Sequence, residues 1–141
     1  MAQPVRIVLI EDHAILREGL RALIELEPDL RVVGEATCVA DGLAAVKAVE
    51  PTLVITDLAL PGTSGLQAIE QLRAVSPNLR VLVLTAHCTD EYIRAALNAG
   101  ADGYVLKDAS RGELMQAIRA AINGQKYFSE PVSARLVSGY L

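Results

Sequence analysis

At 141 residues, with 52% hydrophobic content and a mean hydropathy of +0.33, the chain can build one ordinary domain and is too apolar for a disordered one. Its net charge of −4 and pI of about 5.1 advertise no basic face for nucleic acid. Apolar runs such as VRIVLI are too short to span a bilayer, and MAQPVRIVLIED lacks the parts of a signal peptide, so a cytoplasmic protein without membrane contact is expected.

Residues 5–10 (VRIVLI) read as a strand that ends in the acids Glu11 and Asp12. HAILREGLRALIELE follows, with Ile15, Leu16, Leu20, Leu23 and Ile24 on one helical stripe. Further strands are expected at 31–36, 52–56, 79–84 and 103–106. Between and after them lie the amphipathic stretches VADGLAAVKAVE, SGLQAIEQLRAVS, DEYIRAALNAG and SRGELMQAIRAAING. Ser64, Asp90 and Ser110 are the expected N-caps, and Gly100 and Gly124 suit helix C-termini. Aromatic residues make up only 4% of the chain, so the core must be Leu, Val, Ile and Ala, which suits strands covered on both faces.

Five β–α units with right-handed crossovers predict an α/β fold. The expected architecture is a doubly wound five-stranded parallel sheet, flavodoxin-like with strand order 2-1-3-4-5 and helices on both faces. After Gly124 the composition changes: QKYFSEP reads as a short extended linker and VSARLVSGYL as one or two more helical turns. Val132, Leu136, Val137 and Tyr140 fall roughly on one apolar side of that turn.

Ligands of such sheets bind beyond the carboxyl ends of the strands. Glu11 and Asp12 follow the first strand, Asp57 follows LVIT, Thr85 closes RVLVL and Lys107 follows YVL. Singly, each has a plain structural reading: Asp12 as an acid at a helix start, Thr85 as an N-cap. Asp57 is harder to dismiss, because a charge set against so apolar a run needs a partner if it is buried. Together, three acids, a hydroxyl and an ammonium suit metal-assisted phosphoryl transfer onto a carboxylate. Cys38 and Cys88 form no CxxC pair and read as reduced thiols.

VLIEDHAILREGL, ITDLALPGTSGLQAI, VLTAH and GADGYVLKDAS resemble the receiver domain of two-component response regulators. The H-x-x-x-R-x-G-L wording and KDAS are similar to the NarL/LuxR-type subfamily. The likeness covers roughly residues 5–124, so 1–124 is expected to be the receiver and 125–141 a linker and the start of a connecting helix.

The resemblance implies that Asp57 accepts a phosphoryl group from a sensor histidine kinase. It implies Mg²⁺ held by Asp12, Asp57 and the Ala59 backbone carbonyl, with Glu11 acting mainly through water. Lys107 would pair with one phosphoryl oxygen and Thr85 would bond another. Thr85 and Tyr104 would carry the switch, Tyr104 turning inward as the population shifts toward the active state; the bland alternative for Tyr104 is a half-buried strand tyrosine. Such a domain assists its own phosphorylation and dephosphorylation but is not otherwise an enzyme. Ala59 cannot orient a hydrolytic water, while His87 either shields the phosphoryl group or helps to hold water there. Asp108 stands where a proline often follows the lysine, which leaves a cis or a trans peptide open.

Competing classes fit less well. An aspartate-nucleophile phosphatase needs a second acid where Ala59 stands, and a dinucleotide module needs a glycine-rich loop that EDHAILREG lacks. The family's usual output is a helix-turn-helix domain beyond the linker, so DNA would be met only through a domain absent from this chain, with a possible homodimer on phosphorylation. The alternative is a stand-alone receiver acting through protein–protein contact.

Overall fold

The computed structural model describes residues 3–60, 62 and 65–140, excepting the side chains of 65, 66 and 140. Strands β1 (Val5–Ile10), β2 (Leu30–Ala36), β3 (Leu53–Thr56), β4 (Arg80–Thr85), β5 (Gly103–Leu106) and β6 (Tyr127–Phe128) alternate with helices. The helices are α1 (Ala14–Glu25), α2 (Val39–Val49), α3 (Gly65–Val75), α4 (Asp90–Asn98), α5 (Arg111–Ile122) and α6 (Glu130–Tyr140). All strand pairs are parallel and the order is β2-β1-β3-β4-β5-β6.

The side-chain alternation of a strand sorts the core into two layers. Ile7, Leu9, Leu53, Ile55, Leu82, Leu84 and Val105 point to one face, where Leu20 and Ile24 of α1 and Leu114, Ala117 and Ile118 of α5 cover them. Val8, Ile10, Val54, Val81, Val83 and Tyr104 point to the other, beneath residues of α2, α3 and α4 such as Val46, Leu72 and Ile93. Both faces of β3 are therefore closed, and all four of its residues are buried. Parallel strands covered in this way need the continuous apolar runs seen in the sequence.

Three expectations need correction. The sheet has six strands, not five, because Tyr127 and Phe128 of the expected linker pair with Gly103 and Tyr104 at the open edge of β5. The apolar stripe of α1 is split: Leu20 and Ile24 are buried, whereas Ile15 is 87% exposed and Leu23 lies at the surface. Thr89, rather than Asp90, caps α4 by accepting the Tyr92 amide, and Asp90 becomes the first helical residue. An acid in that first turn still favours the helix through its dipole.

The other termini follow the expected chemistry. Ser110 caps α5 by accepting the Glu113 amide, and Gly100 and Gly124 take positive φ just past their helices. Ser64 lies outside the described residues. The chain end continues past β6 into a helix of 11 residues whose Val132 is fully buried in the same core layer as Tyr104 and Ile93. Leu136 packs partly against the same layer, Val137 stays exposed, and the Tyr140 side chain lies outside the described residues.

Gly103 lets β6 approach. A Cβ there would sit 2.7 Å from Leu82 Cδ1 and 3.0 Å from the Tyr127 carbonyl oxygen. Gly103→Ala is expected to cost about 1–3 kcal/mol, the usual range for overpacking. A urea melt should show a lower midpoint with the same slope. An unchanged midpoint would mean that the β5–β6 edge yields without cost.

Candidate functional site

The sheet order places the carboxyl ends of β1, β3, β4 and β5 side by side. Glu11 leaves β1 with its amide bonded to the Ala36 carbonyl of β2, and the Asp57 amide is donated to the Ile10 carbonyl of β1. Both carboxylates are thereby fixed by the ladders that make the sheet. Glu11 and Asp57 are buried, at 2% and 4% exposure. A buried acid persists as a charge only if donors surround it.

Lys107 supplies the main donor. Its Nζ lies 2.6 Å from Asp57 Oδ2 and 3.1 Å from Glu11 Oε2, reaching from β5 over β4 to the acids of β3 and β1. The Ala59 amide donates to Asp57 Oδ1 at 3.1 Å. Burial by itself would raise the Asp57 carboxyl, but the Lys107 bond, with the Ala59 amide and the Thr85 hydroxyl, outweighs it and holds the group below its usual range. Burial likewise opposes charge on Lys107, and its bonds to Asp57 and Glu11 reverse that effect and raise it. The site is thus built from ionised partners.

Asp12 stands differently. Its Oδ1 is buried without a hydrogen bond, although His13 Nδ1 lies 3.3 Å away. An orphaned anionic oxygen is costly in a folded chain unless something outside the chain completes it. Glu11, Asp12 and His13 can bring one ligand atom each within 4.8 Å of one another. The donors offered by Asp12, Asp57 and Glu11 are all carboxylate oxygens, which suits a hard divalent cation.

Thr85, Tyr104 and His87 form a second tier. The Tyr104 ring is fully buried and points inward, its hydroxyl donating to the His87 carbonyl at 2.6 Å. Burial, followed by the charges of Cys88, Asp57 and Tyr92, pushes that hydroxyl well above the ordinary tyrosine range, so it stays a donor. The His87 amide donates to Thr85 Oγ1 at 3.3 Å, while its imidazole stacks on the Tyr92 ring at 4.6 Å. Among the described residues no peptide is cis, so the Lys107–Asp108 bond is trans.

The structure also assigns partners that the sequence did not disclose. His13 Nδ1 lies 2.6 Å from Glu11 Oε1, and Arg17 donates to the Glu11 carbonyl at 2.8 Å. The only sequence signal was the four-residue spacing of His13 and Arg17 directly after the acids. Ser129, beyond the expected domain end, bonds β5 twice: its amide to the Tyr104 carbonyl at 3.0 Å and its hydroxyl to the Leu106 amide at 3.2 Å.

Comparison with known proteins gives the family. Residues 7–119 match the family described as the response regulator receiver domain. The chain is 37% identical over 136 residues to the nitrate/nitrite response regulator protein NarL of Escherichia coli (strain K12), covering 96% of this chain and 63% of that one. It is 37% identical over 134 residues to the DNA-binding transcriptional activator DevR/DosR of Mycobacterium tuberculosis, covering 95% and 62%. A crystal structure of a LuxR-family two-component response regulator from Aurantimonas sp. SI85-9A1 superposes with a TM-score of 0.92 at 35% identity, covering 98% and 99%. The chain therefore spans less than two thirds of the length of these two curated relatives. With the strand-end acids, the lysine and the sheet order in place, the chain belongs to the response regulator receiver family, in its NarL/LuxR-type branch.

Proposed function

We propose that Asp57 accepts a phosphoryl group from a phosphohistidine of a sensor kinase and that the change reaches a DNA-binding output domain through β5 and α6. The observation that carries this reading is the buried Asp57 carboxylate held ionised by Lys107 at 2.6 Å. In the transfer, an Asp57 oxygen forms the new P–O bond as the donor's P–N bond breaks, and the imidazole nitrogen keeps the electron pair. Lys107, already bonded to Asp57, and the Thr85 hydroxyl at the end of β4 would then bind phosphoryl oxygens.

Asp12, Asp57 and the Ala59 carbonyl would hold Mg²⁺, with Glu11 acting through water. When bound, the cation offsets the repulsion between the acids and the incoming anion. Around it, the chain's own residues position the nucleophile and exclude solvent. Ile15, exposed at the start of α1 next to the acids, offers an incoming kinase an apolar contact.

The inward Tyr104 is one of the two conformers that such a switch would sample, and phosphorylation would raise its population. Residues 125–141 would be the route outward, supported by the Ser129 bonds to β5 and by α6 lying on the layer that contains Tyr104. The DNA-binding activity named for the mycobacterial relative supports a transcriptional output beyond this segment. A second copy is a further proposed partner of the phosphorylated form. The domain would act as a phosphoacceptor that assists its own phosphorylation and dephosphorylation.

Three measurements test this proposal. Beryllofluoride, which stands in for the phosphoryl group, should shift the NMR signals of Thr85 and Tyr104 only with Mg²⁺ present and not at all in Asp57→Asn; a silent wild type would leave a receiver fold without the activity. Lys107→Met should remove the strongest bond that opposes burial at Asp57, leaving the Ala59 amide and the Thr85 hydroxyl to oppose it. Its carboxyl, followed by ¹³C NMR without metal, should then titrate higher than in the wild type, which titrates below 3.8. The sign for stability follows: the wild-type contribution is complete above 3.8 and is lost as pH falls through the lowered value, and the variant loses the part that Lys107 supplies. Ile15→Asp should slow transfer from the kinase by about tenfold or more, as for a central contact residue, and leave phosphorylation by a small phosphodonor unchanged. Equal slowing of both reactions would remove Ile15 from the kinase contact.

A further inference from the structure

His13 and Arg17 are spaced one helical turn apart, and both turn back onto the same residue. His13 occupies the N-cap position of α1 but makes no side-chain cap bond. A Ser, Asp or Asn there would satisfy a helix amide and stabilise α1 by about 1 kcal/mol. The chain forgoes that bond and spends the imidazole on Glu11. Since a carboxylate can only accept, His13 Nδ1 donates, at 2.6 Å, to Glu11 Oε1. The His13 backbone amide donates to the same oxygen at 3.1 Å.

Arg17 secures the other end of Glu11. Its Nη1 donates to the Glu11 carbonyl at 2.8 Å, and its Nε is held 3.3 Å from Glu35 Oε1. Glu11 is therefore fixed at backbone and side chain, with Lys107 reaching both of its carboxylate oxygens, at 3.1 and 3.3 Å. Its neighbour Asp12 keeps a buried oxygen without a hydrogen bond. The two adjacent acids are thus sorted: Glu11 has donors on both carboxylate oxygens, whereas Asp12 Oδ1 has none in hydrogen-bond geometry, with His13 Nδ1 3.3 Å away.

We propose that His13 and Arg17 are positioning residues for the phosphoryl-transfer site, holding Glu11 against Lys107 so that Asp12 alone of the acid pair presents a free oxygen to the cation. This inference rests on the receiver activity proposed above. Without the imidazole, Glu11 Oε1 loses its shortest bond, and the carboxylate can draw Lys107 away from Asp57 or turn toward the cation itself. Outer partners of this kind commonly change metal affinity or activity by 10–100-fold when removed.

The test compares the wild type with His13→Phe, which keeps a ring without a donor, and His13→Gln, whose amide nitrogen can donate to Glu11 and which is not a favoured N-cap. The ¹³Cδ resonance of Glu11 is read in the metal-free protein, and Mg²⁺ affinity is read by calorimetry. His13→Phe is expected to move the Glu11 resonance and weaken Mg²⁺ binding by about tenfold or more, and His13→Gln to restore both. If the Phe protein does not fold, His13→Ala is read in the same way. An unmoved Glu11 resonance with wild-type Mg²⁺ affinity overturns the proposal, as does a Gln variant that behaves like Phe. Failure of the receiver activity would look different: Asp57 would remain unphosphorylated in the wild type while the Glu11 resonance still responded to His13.

Discussion

The bond from Lys107 to Asp57 is the constraint to which the rest of the site answers. The two residues belong to strands that are not neighbours, since β4 runs between β3 and β5. Lys107 must therefore arch over the end of β4, where Thr85 stands, to reach the carboxylate at 2.6 Å. A slip of one residue in β5 would turn the lysine to the opposite face of the sheet. The registers Thr56↔Val83 and Thr85↔Leu106 place the relevant strand ends together, so sheet geometry and site geometry are the same fact.

Such a cluster stabilises the fold poorly. Removing ions from water costs several kcal/mol each, and apolar residues of like volume often replace a buried pair without loss. Here Lys107 faces two of the acids, Glu11 and Asp57, while Asp12 keeps an oxygen without a hydrogen bond and has His13 Nδ1 3.3 Å away. The two apolar layers on either side of the sheet offset that cost. Ile7, Leu53, Leu82 and Val105 on one face and Val8, Val54 and Val83 on the other are essentially inaccessible to solvent. Rigid, fully covered strands can hold groups in an arrangement that the groups themselves resist.

Much of this was legible in the sequence because the fold is built from local patterns. Apolar runs ended by Glu11, Asp57 and Thr85 signal strand ends directly, and parallel order follows from the alternation with helices. What escaped depended on tertiary context. Ile15 and Leu16 are adjacent in hydrophobicity but not in burial: Leu16 packs against the layer that holds Leu20, Ile24 and residues of β1 and β2, whereas Ile15 is exposed. Thr89 and Asp90 are both good caps, and only the backbone geometry chose Thr89. Tyr127 and Phe128 make a strand too short to show any periodicity. They pair because β5 would otherwise present an open edge.

That edge bears on how a signal could leave the domain. β5 carries Lys107 at its end, Tyr104 at its centre and β6 along its side. Ser129 accepts from Leu106 and donates to Tyr104, so the residue that precedes α6 is bonded to the segment that aims the lysine. A neutral hydrogen bond contributes about 0.5–1.5 kcal/mol net, and a fully buried valine such as Val132 roughly 1.5–3. Coupling between sites in proteins is typically about 1–3 kcal/mol. A phosphoryl group on Asp57 could therefore break one of the Ser129 bonds, whereas freeing both and Val132 together would cost about 2.5–6 kcal/mol, above most of that range. On this scale α6 would stay docked at its buried end, and its exposed residues 137–139 would move furthest.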